Sequence, residues 1–206
     1  MDHQLGRLLK ALDASARAED TVVMFFSDHG DMLGSQGMRL KRKPYEESIR
    51  VPGVIRYPRY LKRGRVLDGM LSHIDLPKTT LSLCGVDAPR DWQGENLAAV
   101  FGGQKDQTQE STFFQIFGPH AGDATPEGWR GLRTDRYMYA RFESKPWVLF
   151  DLQTDPYEQN NLVADPAARK ILAGMEGRLK ASMARTGDRW TYNWTAPVED
   201  GGRLYK

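Results

Sequence analysis

The 206-residue sequence predicts an α/β fold, and three observations carry that prediction. Residues 2–17 place Leu5, Leu8, Leu9 and Leu12 at helical spacing, the pattern of an amphipathic helix. The run Thr21-Val22-Val23-Met24-Phe25-Phe26 is continuous, apolar and β-rich, which suits a strand buried on both faces, as in a parallel sheet covered by helices. A loop, a second short strand and a second helix follow, and this alternation is the α/β pattern.

Residues 27–44 read as loop, with three glycines, alternating charge and no periodicity. Pro52-Gly53-Val54-Ile55-Arg56-Tyr57 reads as a short strand ended by Pro58, and residues 66–71 as a third. Asp75 is placed to cap a helix through Leu83, with Pro77 tolerated in the first turn and Gly85 as the stop. Beyond about residue 88 the texture changes. Ser111–Phe117, Gly131–Arg136, Tyr137–Phe142 and Trp147–Leu152 read as short strands divided by turn residues, which suits a small antiparallel sheet. Residues 166–185 form an amphipathic helix with Ile171, Leu172, Met175, Leu179 and Met183 on one side. The tail holds Trp190, Tyr192 and Trp194 and is expected to dock against that sheet, with a sugar-stacking platform as the alternative. The division is therefore 1–88 as an α/β core part and 89–206 as a C-terminal subdomain.

Hydrophobic residues at 40% and charged residues at 27% are ordinary for a globular protein that buries a core. A net charge of +2, from 29 basic against 27 acidic residues, gives no reason to expect a nucleic-acid partner. Cys84 is the single cysteine, which excludes an internal disulfide framework and a multi-cysteine metal site. No apolar run approaches the roughly 18 residues of a membrane span, so no membrane partner is expected. The start, MDHQLGRLLKAL, lacks the layout of a signal peptide.

The chemistry lies in residues 27–52. Ligands of open α/β sheets bind beyond the carboxyl ends of strands, where Asp28 and His29 fall. A carboxylate and an imidazole there can both reach a metal ion, and Gly30 lets the backbone turn behind them. Lys41 stands in the basic cluster Arg39–Lys43 and can hold an anionic substrate such as a sulfate or phosphate ester. Each observation has a plainer reading: a capped turn for Asp28-His29, a solvated face for the basic cluster. His120, in FGPHAGDATPEGW, is either a substrate contact or an ordinary loop residue. His73 is expected to pack or cap, His3 to sit on the surface, and Arg50 to be neutralised by Glu46 or Glu47. Tyr45 shapes a pocket floor or the core, Arg133 and Asp135 organise a hairpin, and Asp155-Pro156 with Glu158 and Asn161 reads as a capped turn.

The segment SDHGDMLGSQGMRLKRKPYEESIRVPGVIRYP resembles the sulfatase family of the alkaline phosphatase superfamily. The shared pattern runs from Asp28 to Gly34, through Lys41, Tyr45-Glu46 and Arg50, to Pro52. LSHIDLPKTTLSLCGV, WRGLRTDRYMYAR and VLFDLQTDPYEQNNL resemble further segments of the family's C-terminal part. The resemblance implies part of an alkaline-phosphatase-like α/β/α sandwich, followed by a small C-terminal antiparallel sheet with a packed helix. It implies Asp28 and His29 as ligands of a divalent cation, and Lys41 as the lysine that contacts sulfate and offsets charge during ester cleavage. His120 joins Lys41 as a substrate-binding candidate. An Asp-His pair is more like the branch with choline-sulfatases and phosphonate monoester hydrolases. Calcium is the favoured ion, and the imidazole makes manganese the alternative.

The family also needs a paired-aspartate motif and a Cys/Ser-x-Pro-Ser-Arg segment whose first residue becomes the formylglycine nucleophile. This sequence has neither, and Cys84 lacks the proline and arginine at the required offsets. Covalent catalysis needs an activated nucleophile, so the chain alone is expected to be inactive. It is expected to be the C-terminal portion of a longer sulfatase, whose other half would carry formylglycine and any signal peptide. The complete protein would hydrolyse the sulfate monoester of a small substrate. The alternatives are a phosphonate or phosphodiester hydrolase of the same superfamily, or a non-catalytic degenerate module.

Overall fold

The computed structural model describes every residue except 62–63, 107, 119–124, 126 and 191–206. In chain order its elements are α1 (Asp2–Asp13), β1 (Val23–Phe26), the single-turn α2 (Glu46–Ile49), β2 (Gly53–Arg56), α3 (Asp75–Leu83) and α4 (Ala98–Phe101). Then come β3 (Ser111–Ile116), β4 (Trp129–Thr134), β5 (Tyr137–Phe142), β6 (Pro146–Asp151) and α5 (Arg169–Thr186). The chain divides into two compact units: Met1–Ser27 with Pro52–Gln109, and Asp28–Val51 with the residues from Glu110 onward.

In the first unit, α1 stops at Asp13 rather than continuing to residue 17. The Ser15 hydroxyl donates to Leu12 O at 2.7 Å and accepts the Arg17 N–H at 3.2 Å, so a local side-chain turn competes with the next helical turn. β1 was expected to have parallel neighbours and two buried faces. It pairs instead with β2, antiparallel, in the register Val23↔Arg56 to Phe26↔Gly53, and all four of its residues are half-buried. Gly53 makes room for this pairing, because a Cβ there would lie 2.5 Å from the Phe26 ring. Residues 66–71 form no strand; they leave one isolated bridge, Met70↔Gln109, beside the close approach of Gly69 to Thr108.

Asp75 does more than cap. It opens α3 with its side chain fully buried, accepting the N–H of Ser72 (2.7 Å), the N–H of Glu95 (2.8 Å) and the Gln109 amide (2.6 Å). One carboxylate therefore satisfies donors from three segments, as a buried charge requires. Gly85, at φ +72°, ends the helix as its sequence position suggests.

The second unit is built on the antiparallel meander β3-β4-β5-β6. Because strand side chains alternate between faces, each strand serves two cores. Met138, Ala140, Phe142, Val148 and Phe150 join Trp129 on one face. Leu132, Tyr139 and Leu149 face the other way and pack with Met175 and Leu179 of α5. The residues that cover the first face include Met32 and Tyr45, which belong to the segment between β1 and β2. The loop that carries Asp28, His29 and Lys41 is therefore a packed layer on the C-terminal sheet. After α5, Gly187 turns the chain at φ +68°. Asp188 then pairs with the buried Arg130, and Trp190 lies 5.0 Å from that guanidinium. The expected docking of Tyr192 and Trp194 lies outside the described residues.

Candidate active site

Asp28, His29 and Lys41 come together. The His29 ring reaches Gly30 O through Nδ1 at 2.7 Å, and a carbonyl oxygen can only accept, so Nδ1 carries the proton. Nε2 is then the nitrogen with the lone pair. It receives the Lys41 ammonium at 2.5 Å and lies 3.2 Å from Asp28 Oδ2. The Asp28 side chain is 84% exposed, so the cluster is open to solvent on that side. The small burial of Asp28 pushes its pKa up, but the pull of His29, the backbone N–H groups of Asp28 and His29, and Lys41 outweighs it. The carboxyl is thus held below its ordinary range, ready to meet a cation as a carboxylate.

The pair fits part of a metal shell. Donors at about 2.1–2.5 Å from one ion, in neighbouring positions, are themselves on the order of 3.0–3.5 Å apart, and the Asp28–His29 separation is 3.2 Å. No group of three or more His, Cys, Asp and Glu side chains suited to hold a metal occurs among the described residues. Among the described residues, Asp28 and His29 are the donors that this cluster presents.

The loop that carries them is strained and heavily anchored. Leu33, Gln36, Leu40 and Arg42 have positive φ, and two of these flank Lys41 directly. Such backbone persists only where the surroundings hold it. Met32 N–H donates to Leu40 O at 2.8 Å, and the buried Trp129 donates its indole N–H to Arg42 O at 2.9 Å. Arg42 in turn donates to Gly118 O at 2.9 Å. Gly30 is required for a reason other than its φ: its N–H reaches Ser48 O at 2.9 Å, and a Cβ there would sit 1.9 Å from Glu47 O.

Further along, Glu46 is clamped by Nε and Nη2 of Arg133, each at 3.1 Å, and reaches the largely exposed Arg50 only at 3.5 Å. Arg133 therefore ties β4 to the loop in addition to closing its own hairpin. Tyr45 is 7% exposed and packs its ring 5.5 Å from Phe150, so it belongs to the core. His73 donates its Nε2–H to Ser27 O at 2.7 Å. His120 lies outside the described residues. A cavity of about 530 Å³ is lined by Glu46, Arg50, Arg133, Asp135, Arg136 and Leu152 among others, and none of the three clustered residues borders it. Arg136 and Arg133 are already neutralised there by Asp151 and Glu46. The exposed cluster, with its mixed charge and lone pair, is the better chemical candidate.

Fold and cluster define an α/β protein with an acid–imidazole–lysine group on the loop that follows its first strand. Residues 34–185 match the family described as N-sulphoglucosamine sulphohydrolase, C-terminal. The ulvan-active sulfatase of Formosa agariphila is 32% identical over 192 residues, covering 92% of this chain and 38% of that protein. The choline-sulfatase of Rhizobium meliloti is 31% identical over 169 residues, covering 81% and 31%. Among solved structures, BT4656 in complex with its substrate D-glucosamine-2-N,6-O-disulfate superposes with a TM-score of 0.83 at 26% identity, covering 91% of this chain and 39% of that one. The phosphonate monoester hydrolase of Agrobacterium radiobacter gives 0.79 at 26%, covering 89% and 39%. The chain belongs to the sulfatase family, in the alkaline phosphatase superfamily, and corresponds to the family's C-terminal region. It spans about two fifths of the length of the ulvan-active sulfatase.

Proposed function

We propose that this chain supplies the C-terminal half of a sulfatase site, and that the complete protein hydrolyses the sulfate monoester of a small substrate. The observation that supports this most is the convergence of Asp28 and Lys41 on His29 Nε2, at 3.2 Å and 2.5 Å. Asp28 Oδ2 and His29 Nε2 would hold a divalent ion, calcium in the first instance and manganese as the imidazole-tolerant alternative. When bound, that ion supplies positive charge for a substrate oxygen. His29 keeps its Nδ1 proton on Gly30 O, which orients Nε2 outward. Lys41, released from Nε2, holds the sulfate and offsets the negative charge that grows as the ester bond breaks. The packed loop keeps that ammonium in place, since Leu40 and Arg42 on either side are pinned through their carbonyl oxygens. The nucleophile, formylglycine in this reading, lies outside this sequence, so the chain by itself does not turn over. His120 is a second candidate contact to substrate.

A phosphonate monoester hydrolase is the second reading. The structural likeness to the Agrobacterium radiobacter enzyme favours it, at a TM-score of 0.79. Assay of the complete protein on an aryl sulfate and on the matched phosphonate monoester separates the two. The sulfatase reading expects the larger kcat/KM on the sulfate, and expects Lys41→Ala to lower it by about 10²–10³ while the fold is unchanged. A Lys41→Ala protein with undiminished turnover contradicts the assigned role.

A further inference from the structure

The turn at 155–161 reads as a structural cap, yet one of its residues is an unusual acid. Glu158 is 2% exposed, and its Oε1 has no hydrogen-bond partner among the described residues. Its Oε2 accepts the N–H of Glu46, the first residue of α2, at 2.7 Å. The Glu158 backbone sits at φ +53°, which a side-chain-bearing residue keeps only when its surroundings impose it. On α2, Glu47 Oε2 is a second buried carboxylate oxygen without a partner. Every acid that bears on Glu158 would repel its charge: Glu46 and Glu47 on α2, and Asp155 on its own turn. The phenol of Tyr45 faces the same group, and Arg133 of β4 is committed to the two oxygens of Glu46. A buried carboxylate among three acids is costly, and the physical remedy is to keep its proton. A protonated carboxyl then needs an acceptor for its O–H, and the orphan oxygen of Glu47 is the acceptor that needs a donor.

We propose that Glu158 is a positioning residue held in its protonated form, and that its proton, offered to Glu47, clasps α2 and the Lys41 loop onto the C-terminal sheet. The same turn grips the loop at a second point, where Gln36 Nε2 donates to Tyr157 O at 2.8 Å. Loss of the proton would place two carboxylates together at the root of α2 and open the clasp. That the clasp serves Lys41 rests on the function proposed above; the protonation itself does not.

Burial raises the Glu158 pKa from 4.5 to about 8, and the neighbouring acids add to the effect. In the unfolded chain the group ionises near its ordinary value. Between these limits the folded state binds the extra proton, so the stability it contributes is full below pH 4.5 and is lost as pH rises through about 8.

Thermal unfolding of the 206-residue chain between pH 6 and 9 tests this. The wild type is expected to lose at least about 4 °C in Tm over that interval. Glu158→Gln, which keeps an acceptor for Glu46 and places a donor towards Glu47, should flatten the dependence and exceed the wild type at pH 9. Glu158→Ala should melt low at every pH, separating lost contacts from lost protonation. A Glu158→Gln protein that is less stable at pH 6 and retains the wild-type slope overturns the proposal. Carboxyl-carbon NMR of the wild type gives the same answer if that variant does not fold. A Glu158 midpoint near 8, moved lower by Glu47→Gln, is the expected result, and a midpoint below 6 or one indifferent to Glu47 overturns it.

Discussion

At Gly30 the backbone of the site loop runs against the carbonyl of Glu47, at a separation a methyl group cannot share. Gly30→Ala must therefore displace either the Asp28-His29 pair or α2. Urea unfolding should show a loss of at least about 1–3 kcal/mol, the usual cost of overpacking, and a loss within 0.5 kcal/mol would show that the loop yields without cost. Here the sequence was legible in part. A glycine after Asp-His suggested a sharp turn, but Gly30 is absent from the positive-φ residues and its role is close approach. The anchors of the loop that carries Lys41 were less legible still. Trp129 stands 87 positions from Arg42, and Glu158 stands 112 from Glu46. Such contacts have no local signature, since a buried donor finds its acceptor wherever the fold brings one.

At the scale of elements, patterning and turn residues placed the C-terminal strands within about two residues of their observed ends, because each strand serves two cores and so alternates throughout. The first unit was harder. An apolar run such as Thr21–Phe26 states that a strand is sheltered without stating which strand it pairs with, and the antiparallel partner β2 is set by tertiary context. The end of α5 carries a measurable consequence. The Arg130–Asp188 pair is almost wholly buried, with side chains 2% and 8% exposed. The Arg130 hydrogen bonds hold the Asp188 carboxyl below its ordinary value, outweighing burial, and Arg136 does the same for Asp151. Both groups contribute stability that is complete above pH 3.8 and lost as pH falls through their lowered values. Asp188→Asn leaves Arg130 buried without its counter-charge and should cost about 3–5 kcal/mol at pH 7. The deficit should shrink below pH 4, where the wild type loses the same interaction. Equal deficits at pH 7 and pH 3, read from denaturant midpoints, would contradict this account.

At the scale of the whole molecule, the family assignment rests on sequence matches that cover most of this chain and only about two fifths of the ulvan-active sulfatase. That proportion agrees with the proposed reading, in which Asp28, His29 and Lys41 form part of a site. In the proposed site, Asp28 and His29 are one half of a metal shell. Because two ligands bind weakly, the direct measurement is one that sees weak binding residue by residue: ¹H–¹⁵N NMR of the chain during titration with Mn²⁺, whose paramagnetism broadens nearby amides. The predicted result is early, selective broadening at Asp28, His29, Gly30 and Lys41, abolished by His29→Ala. Broadening that begins instead at the acids around Glu158, or that survives His29→Ala unchanged, would contradict it.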